Sequence, residues 1–504
     1  MRPPQRLLAL LLALTSVLLP AGCAVNPATG RSEIVFITPE EEEEIGRKES
    51  ERVDAEIGLF DDPQLLAYIE AVGRRMARHS PRAGVNYSFH ILDMQEPNAF
   101  ALPGGYIYVS RGMLAIANSE DELANVLGHE IAHVAARHAA QRQARATGAG
   151  LLGIGGVILG AIFGAPGELL SAPQLLASGL LAAYGRDQER EADDLGQEMA
   201  VSAGVDPRGM ADFLRTLENT ARLRHGASRL PSFFDTHPST PERVASATTL
   251  GESLRWRAGP GIASERGDFL RRLDGLIVGH NPAEGVFRGG HFLHADLDLS
   301  LRFPSEWTMR NARSAVGAVS ERSDASITLQ HQGRCADPLK AARVFLEGLA
   351  KETSFRLVKS EPLTIAGLQA FHAHVVTGGE GGSASFDITW IAHGGLIYRV
   401  AGRAPGGPFR SYQGLFRKVA RSFRPLDEAE RNSIQVTRMR LLAAREGETL
   451  SEVSARSQNT WDLNETAVAN AVFIDSVLEA GWLVKVAVDE PYHRKGSRAA
   501  VPAQ

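Results

Sequence analysis

Apolar residues recur at helical spacing in the stretch that follows Ser119. Their positions lie three or four residues apart and comprise Leu123, Val126, Leu127, Ile131 and Val134. Ser119 is a good N-cap residue, and the acidic residues directly after it complement the positive end of a helix dipole. The pattern therefore predicts an amphipathic helix that begins after Ser119 and can be buried in a core.

A shorter segment, residues 106–110, has the alternation of a strand. Tyr106, Tyr108 and Ser110 alternate with Ile107 and Val109, directly after a Pro-Gly-Gly turn signal. As an edge strand it would hold an extended peptide through backbone hydrogen bonds, and broad substrate specificity would follow. The alternative is an ordinary hairpin strand.

The pattern changes after residue 250. Residues 251–285 read as a linker with a connecting helix at about 265–276. Alternating apolar and polar residues at 297–303 and 386–390 then predict strands, while Asp337-Pro338 predicts a helix start, and another helix is expected at 409–423. These elements define an α+β domain at 286–428 that resembles PsbP-like domains. It contains no catalytic constellation, so we expect a binding or structural role.

The last predicted module spans residues 437–488. A turn at Glu446-Gly447, a helix-start Thr449, two helices and a closing strand resemble a βααβ unit of the LysM type. The resemblance implies peptidoglycan binding, and a small packing domain is the equally weighted alternative. The tail at 489–504 is polar, and we expect it to be disordered.

The amino terminus predicts export. Arg2 and Arg6 precede an uncharged apolar run, Leu7 to Leu19, that is short for a membrane span, so residues 1–22 read as a signal peptide. Small residues before Cys23 resemble a bacterial lipoprotein signal, in which this cysteine becomes the lipidated first residue. The alternative is a plain secretory signal with a coincidental cysteine.

Composition narrows the class of protein without naming a reaction. The chain has 504 residues, 44% hydrophobic and 22% charged, which is ordinary for globular proteins and leaves room for about three domains. A net charge of −5 gives no basic footprint, so we expect no nucleic-acid partner. Cysteine occurs only twice, and a lipidated Cys23 would leave Cys335 without an intramolecular disulfide partner.

The predicted helix contains the sequence His129-Glu130-Ile131-Ala132-His133. Positions four apart lie on one helical face, so both histidines can reach one metal ion. Glu130 lies beside them, where it can take a proton from a water molecule that the metal activates. This pattern is typical of zinc hydrolases, and chance is the alternative for so short a motif.

A third protein ligand is expected for a catalytic zinc. Glu189 and Asp193 are four residues apart and therefore share a helical face, so that Glu189 could bind zinc while Asp193 accepts a hydrogen bond from a ligand imidazole. Glu191 is the rival, about 200° around the helix from Glu189. We predict that Glu189→Ala releases zinc and that Glu191→Ala is nearly silent.

Residues 146–167 carry no charge and are long enough to span a membrane. A single crossing would place Glu189 on the opposite side from both motif histidines, and the site could not assemble. We therefore expect buried or membrane-surface helices between residues 146 and 184.

These motifs together resemble the zinc metallopeptidase family of the CAAX prenyl proteases, HtpX and the periplasmic lipoprotein peptidases BepA and LoiP. Further matching pieces are residues 98–108 and Thr236-His237-Pro238 followed by Arg243. The resemblance covers roughly residues 25–250. It implies a gluzincin-type domain at 23–250, mainly helical with a small sheet, which makes the whole chain α+β. It also implies one zinc ion per chain, Glu189 as its third ligand, and His237 and Arg243 near the active site.

The expected function is that of a zinc endopeptidase in the bacterial periplasm, anchored to the outer membrane as a lipoprotein. Its substrates would be unfolded or misassembled envelope proteins. Glu130 would act as the base, and zinc with Arg243 would stabilise the oxyanion. His237 would fill the fourth zinc position, assist the oxyanion, or be merely an exposed loop residue. The alternative function is an anchored chaperone or binding protein with weak or autoinhibited protease activity.

Overall fold

The structure is a computed structural model that describes residues 23–148, 183–223, 233, 237, 241–263, 265–312, 315–378 and 383–493. The predicted signal peptide, most of the uncharged segment after residue 146, and the tail from residue 494 lie outside the described residues. Among the helices that are described, none combines the length and apolar character needed to cross a membrane.

The described chain begins with a small hairpin of strands β1 (Cys23–Val25) and β2 (Ser32–Ile34). Helix α1 (Pro39–Glu56) follows and starts with a reciprocal capping box between Thr38 and Glu41. Helix α2 (Pro63–Ala77) starts at Asp62, whose side chain accepts hydrogen bonds from two first-turn N–H groups. Both helix starts follow directly from local sequence.

A three-stranded sheet comes next, built from β3 (Ser88–Leu92), β4 (Ala99–Leu102) and β5 (Tyr106–Ser110). Its order is β3-β5-β4, with β5 parallel to β3 and antiparallel to β4. The predicted strand at 106–110 is thus confirmed, but its interpretation as an edge strand is wrong. Both sides of β5 are already hydrogen-bonded, so it cannot accept a peptide, and β3 and β4 form the two edges of the sheet.

The motif helix lies at the centre of the amino-terminal domain. After the short helix α3 (Arg111–Ile116), helix α4 (Glu120–Ala135) starts at Ser119, whose hydroxyl accepts a hydrogen bond from the Glu122 N–H. Every residue of α4 except Asp121 is buried, so the helix is enclosed on all sides instead of being amphipathic. Helix α5 (His138–Gly148) begins only after Arg137, which adopts φ 58° and turns the chain.

Helix α6 (Arg186–Ala203) crosses α4 at close range because glycines lie at the contact. A Cβ atom at Gly196 would stand 3.1 Å from the backbone nitrogen of His129, and one at Gly128 would stand 3.3 Å from the Gly196 carbonyl oxygen. Larger residues would push the helices apart. The domain is completed by the helices α7 (Gly209–Leu223), α8 (Pro241–Ser253) and α9 (Arg266–Leu273).

The α+β arrangement predicted for the following residues is confirmed. A three-stranded sheet contains β6 (Val286–Arg288), β7 (His291–His294) and β8 (Leu299–Arg302). An antiparallel seven-stranded sheet has the order β12-β13-β14-β15-β11-β10-β9. Its strands are β9 (Thr308–Ala312), β10 (Ala315–Val319), β11 (Ser326–Arg334), β12 (Phe355–Ile365), β13 (Leu368–Thr377), β14 (Ala384–His393) and β15 (Leu396–Pro405).

Two helices cover opposite faces of the seven-stranded sheet. Helix α10 (Pro338–Glu352) packs on the face that carries Trp390 and Ile388, and its N-cap is Asp337 as predicted. Helix α11 (Phe409–Arg421) packs on the other face through Phe416 and neighbouring apolar residues. Side-chain alternation along β14 thus supplies two separate hydrophobic cores.

The last module has the predicted β-α-α-β order. After the short helix α12 (Glu428–Ser433), it consists of β16 (Gln435–Ala443), α13 (Leu450–Arg456), α14 (Leu463–Ala469) and β17 (Leu483–Pro491). Strand β17 pairs with β16 as far as Pro491, so residues 489–491 are ordered strand and not disordered tail.

This module packs tightly against the amino-terminal domain. Lys485 on β17 is fully buried, and its ammonium group donates to the backbone carbonyls of Ala115 and Ala117 at 3.0 and 2.9 Å. Met439 of β16 belongs to the same hydrophobic core as the motif helix. These contacts favour the packing role that the sequence left open beside glycan binding.

Candidate metal centre and active site

The two motif histidines converge as their spacing predicts. The Nε2 atoms of His129 and His133 lie 3.0 Å apart, and both side chains are almost completely buried. They project from one face of α4 because four residues make slightly more than one helical turn.

Glu189 reaches the same point from helix α6. Its carboxylate oxygens lie 3.6 Å from His129 Nε2 and 3.5 Å from His133 Nε2. The close glycine contact between α4 and α6 makes this approach possible. Glu191 faces elsewhere on the helix, as the predicted register requires.

His237 completes the cluster from the far side. Its Nδ1 atom lies 2.9 Å from a Glu189 oxygen and 3.3 Å from His129 Nε2. The ring is fully buried and stacks on Phe233 at a centroid distance of 4.4 Å. The interpretation of His237 as a merely exposed loop residue is therefore wrong.

Asp193 and Arg243 lie behind these residues. Asp193 Oδ1 is 2.9 Å from His129 Nδ1, which brings the carboxylate beside this imidazole. The Arg243 guanidinium group donates to both Asp193 oxygens at 2.8 Å and lies 2.7 Å from Glu189 Oε2. Its contacts thus fix the two carboxylates, which favours a positioning role over the expected contact with an oxyanion.

Glu130 lies beside the cluster and is fully buried. Within the described part of the chain, neither of its carboxylate oxygens has a hydrogen-bond partner, and the nearest imidazole nitrogen, His237 Nε2, is 3.6 Å away. Burial raises the pKa of Glu130, and the positive potential of His237 and His129 offsets this only in part. A carboxyl group with a raised pKa is suited to accept and return a proton.

The electrostatic surroundings act differently on the residues of the cluster. Burial opposes protonation of His129, but Asp193 and the other nearby carboxylates outweigh it and raise the pKa of His129. Burial, reinforced by the neighbouring His129, holds the pKa of His133 well below its usual range, so its imidazole is neutral. Burial opposes the ionisation of Asp193, but Arg243 and His129 outweigh it and lower the pKa of Asp193 to about 2. The pKa of Glu189 is also lowered, because His237, His129 and Arg243 outweigh the effect of burial.

These donor atoms fit a transition-metal ion. One donor atom from each of His129, His133, Glu189 and His237 lies within 4.8 Å of the others, and all four residues are buried. Imidazole nitrogens and a carboxylate oxygen are ligands that zinc accepts in a tetrahedral arrangement. The structure therefore contains a cluster that could hold one metal ion.

Two residues near the cluster were not anticipated from sequence. The Tyr184 ring stacks on His133 at 3.9 Å, with an interplanar angle of 19°. His138 Nδ1 lies 2.8 Å from His133 Nδ1. His138 is only five residues beyond the motif, and this proximity was the signal that could have identified it. No sequence pattern marks Tyr184.

Fold and site together define a domain of the metallopeptidase class: a buried helix supplies two histidines and an acidic residue, and a second helix supplies a carboxylate. Residues 63–250 match Peptidase family M48, so the chain contains a peptidase domain of this family. The resemblance inferred from the motifs is confirmed.

Relatives share this domain and not their whole length. The beta-barrel assembly-enhancing protease of Escherichia coli (strain K12) is 31% identical over 220 residues, which cover 42% of this chain and 43% of that protein. The mitochondrial metalloendopeptidase OMA1 of Bos taurus is 30% identical over 234 residues, which cover 44% of each chain. The chain thus spans less than half the length of these curated relatives.

The comparison with solved structures gives only a distant likeness. Cyanobacterial PsbP from Synechocystis sp. PCC 6803 is 11% identical and covers 28% of this chain and 95% of that chain, with a TM-score of 0.23. A score this low supports no fold assignment, and the PsbP-like interpretation of residues 286–428 stays a prediction.

Proposed function

We propose that this protein is a zinc-dependent metalloendopeptidase of the bacterial cell envelope that hydrolyses peptide bonds of misfolded or stalled envelope proteins. The observation that carries this proposal is the buried cluster of His129, His133, Glu189 and His237 with Glu130 beside it. The M48 domain supports the reaction class. The name of the Escherichia coli relative, a beta-barrel assembly-enhancing protease, supports envelope proteins as substrates.

Each residue of the site has a distinct task in the proposed reaction. His129, His133 and Glu189 would hold the zinc ion, which when bound supplies Lewis acidity toward the peptide carbonyl and lowers the pKa of water. Glu130 takes a proton from the attacking water and returns it to the leaving amine. Asp193 fixes the His129 ring, and Arg243 fixes the carboxylates of Asp193 and Glu189.

An extended substrate would lie along the edge strand β4. Ala101 and Leu102 of this strand line a small cavity together with His133 and Tyr184, so β4 lies beside the site, although all four of its residues are buried. Backbone pairing along such an edge reads few side chains, and this would allow many unfolded segments to bind.

The proposal is tested by zinc content and casein cleavage of the purified chain. We expect one zinc per chain and proteolysis that a chelator abolishes and added zinc restores. A chain that binds zinc without cleaving casein or a denatured envelope protein would favour the alternative, an anchored chaperone or binding protein with autoinhibited protease activity.

His237 provides a specific reason for partial autoinhibition. Because it lies within the ligand cluster, 2.9 Å from Glu189, it can fill the fourth zinc position and exclude water. We expect His237→Ala to raise casein cleavage severalfold, measured at equal zinc content. The exposed His79 gives the matched variant His79→Ala, whose rate should equal that of the wild type.

A fall in rate in His237→Ala would instead indicate that His237 assists the oxyanion. An unchanged rate, with unchanged zinc coordination by X-ray absorption, would remove His237 from both roles.

We also propose that the chain is anchored to the outer membrane through a lipid on Cys23 and faces the periplasm. Cys23→Ser should abolish labelling with a radioactive fatty acid and move the protein from the membrane fraction to the soluble periplasm. Cys335→Ser is the matched control, since it changes the only other cysteine, in the α+β domain. A wild-type chain that is wholly soluble and does not start at residue 23 would contradict the anchor.

We also propose that the 437–488 module binds peptidoglycan. This proposal is supported by the βααβ order and by three exposed apolar side chains in one loop, those of Phe473, Ile474 and Val477. These side chains are exposed while Lys485 and Met439 of the same module are buried against the amino-terminal domain, so the loop is accessible to a ligand.

A further inference from the structure

A cavity of about 980 Å³ lies where the amino-terminal domain, the α+β domain and the last module meet. Ligand pockets commonly measure roughly 300–1,000 Å³ and often lie between domains, so the size and place of this cavity suit a binding site. The described residues that line it include none of the metal-site residues. The cavity is therefore separate from the cluster around His129.

Hydrogen bonds between the elements fix the walls of the cavity. The linker residue Gly275, which lines it, donates its N–H to the Met439 carbonyl of β16 at 2.8 Å. The buried Arg111 of α3 donates to the Gly279 carbonyl of the same linker at 3.3 Å. Walls that are held in this way rearrange little when a ligand binds, which favours affinity.

One part of the lining is apolar. Four of its residues, Phe292, Leu299, Leu329 and Tyr398, belong to the hydrophobic core beneath α11. Leu59, in the loop before α2, lines the cavity as well and is 36% exposed. Apolar side chains of a ligand would be removed from water against these residues, which favours binding.

Another part of the lining is acidic. Six carboxylates line the cavity against three guanidinium groups. From outside the lining, Arg111 pairs with Asp93, and Glu490 pairs with both Arg438 and Arg440, so the balance of charge stays negative. The six carboxylates belong to Asp61, Asp62, Asp93, Asp274, Glu284 and Asp296. This balance favours a cationic ligand.

Asp296 marks a point where a cationic group would bind. The Tyr492 hydroxyl donates to one oxygen of this carboxylate at 3.0 Å. The other oxygen is buried and has no hydrogen-bond partner among the described residues. A buried acceptor without a donor costs free energy, so an ammonium or guanidinium N–H at this point would stabilise the complex. His294 in the lining adds no opposing charge at neutral pH, because burial lowers its pKa to about 4.

We propose that this cavity binds an extended segment of the polypeptide substrate in which basic residues lie next to apolar ones. This proposal rests on the proposed function, which makes the ligand a polypeptide. Basic side chains would pair with the acidic lining, and apolar side chains would pack on Phe292 and its neighbours. The enzyme would thus hold one part of an unfolded chain away from the peptide bond that it cleaves.

The test measures binding of a fluorescein-labelled decapeptide of alternating lysine and leucine to the full chain by fluorescence anisotropy. The parent protein carries Glu130→Gln so that the peptide is not cleaved. We expect this peptide to bind more tightly than two matched peptides, one with glutamate in place of lysine and one with serine in place of leucine. Its affinity should fall as salt is added, because salt screens the charges.

Single substitutions test whether the peptide binds in the cavity. Asp61→Asn and Asp296→Asn should each raise the Kd of the lysine–leucine peptide by about 10-fold, which corresponds to the loss of one hydrogen bond to a charged group. Leu59→Ser should raise the Kd of this peptide and leave that of the lysine–serine peptide nearly unchanged. Asp61 and Leu59 are exposed, so replacing them leaves the fold intact. The exposed Asp212 on α7 gives the control Asp212→Asn, which should bind like the parent.

Three results would overturn the proposal: equally tight binding of the glutamate–leucine peptide, cavity variants that bind like the parent, or binding that appears only after deletion of residues 494–504. The last result would assign the cavity to that segment of the same chain, which contains Arg494, Lys495 and Arg498. Casein cleavage by the wild type is a separate measurement. Cleavage without peptide binding would overturn this proposal alone, and peptide binding without cleavage would count against the proposed function alone.

Discussion

Replacing Glu130 with glutamine should abolish proteolysis while one zinc ion per chain is retained. Glu130 is not among the four residues whose donor atoms cluster, so its replacement leaves the ligand set intact. Glutamine has nearly the same shape but cannot take a proton from water, and loss of a general base typically costs about 10²–10⁴-fold in rate. Casein cleavage and zinc content, measured on the same preparation, check both parts of the prediction.

The matched control is Glu198→Gln, which makes the same chemical change at an exposed position on α6. It should retain full activity. Full activity in Glu130→Gln would remove Glu130 as the base, while loss of zinc in that variant would show that the carboxylate has a structural role in the site.

The second large effect is expected for Glu189→Ala, which should lose zinc. The carboxylate lies between His133 and His237, and the Arg243 guanidinium group holds it there at 2.7 Å. Loss of a residue that hydrogen-bonds to a ligand histidine weakens metal binding by up to roughly 100-fold. Removal of Glu189, a direct ligand, should weaken zinc binding by more than this. Chelator competition gives the Kd, and casein cleavage should fall with zinc occupancy.

Glu191→Ala provides the comparison that tests the helical register. The sequence predicts that this change is nearly silent, and the structure agrees with that prediction, because the Glu191 carboxylate lies outside the ligand cluster and 3.8 Å from His138 Nε2, beyond hydrogen-bond distance. Glu189→Ala should therefore be much the more severe of the two. If Glu191→Ala released zinc and Glu189→Ala did not, the assignment of the third ligand would be reversed.

The sequence by itself determined the core of the site. Spacing of four residues places His129 and His133 on one face, and the same spacing places Glu189 and Asp193 on another, because helical geometry is local. Ser119 and Asp337 start the helices that their capping chemistry predicts. The alternation of apolar residues likewise predicted the strands of the α+β domain, since side chains alternate along any strand.

Only the tertiary structure decided which neighbours these elements meet. The alternation at 106–110 predicts a strand but not whether it lies at the centre or the edge of the sheet, because strand order depends on pairing with β3 and β4. The periodicity of α4 predicts one buried face, yet neighbouring elements enclose it on every side. Arg243 and Lys485 meet partners that are distant in the sequence, and His138 meets His133 because the chain turns at Arg137. Such contacts are set by packing between elements, on which the local periodicity of a sequence carries no information.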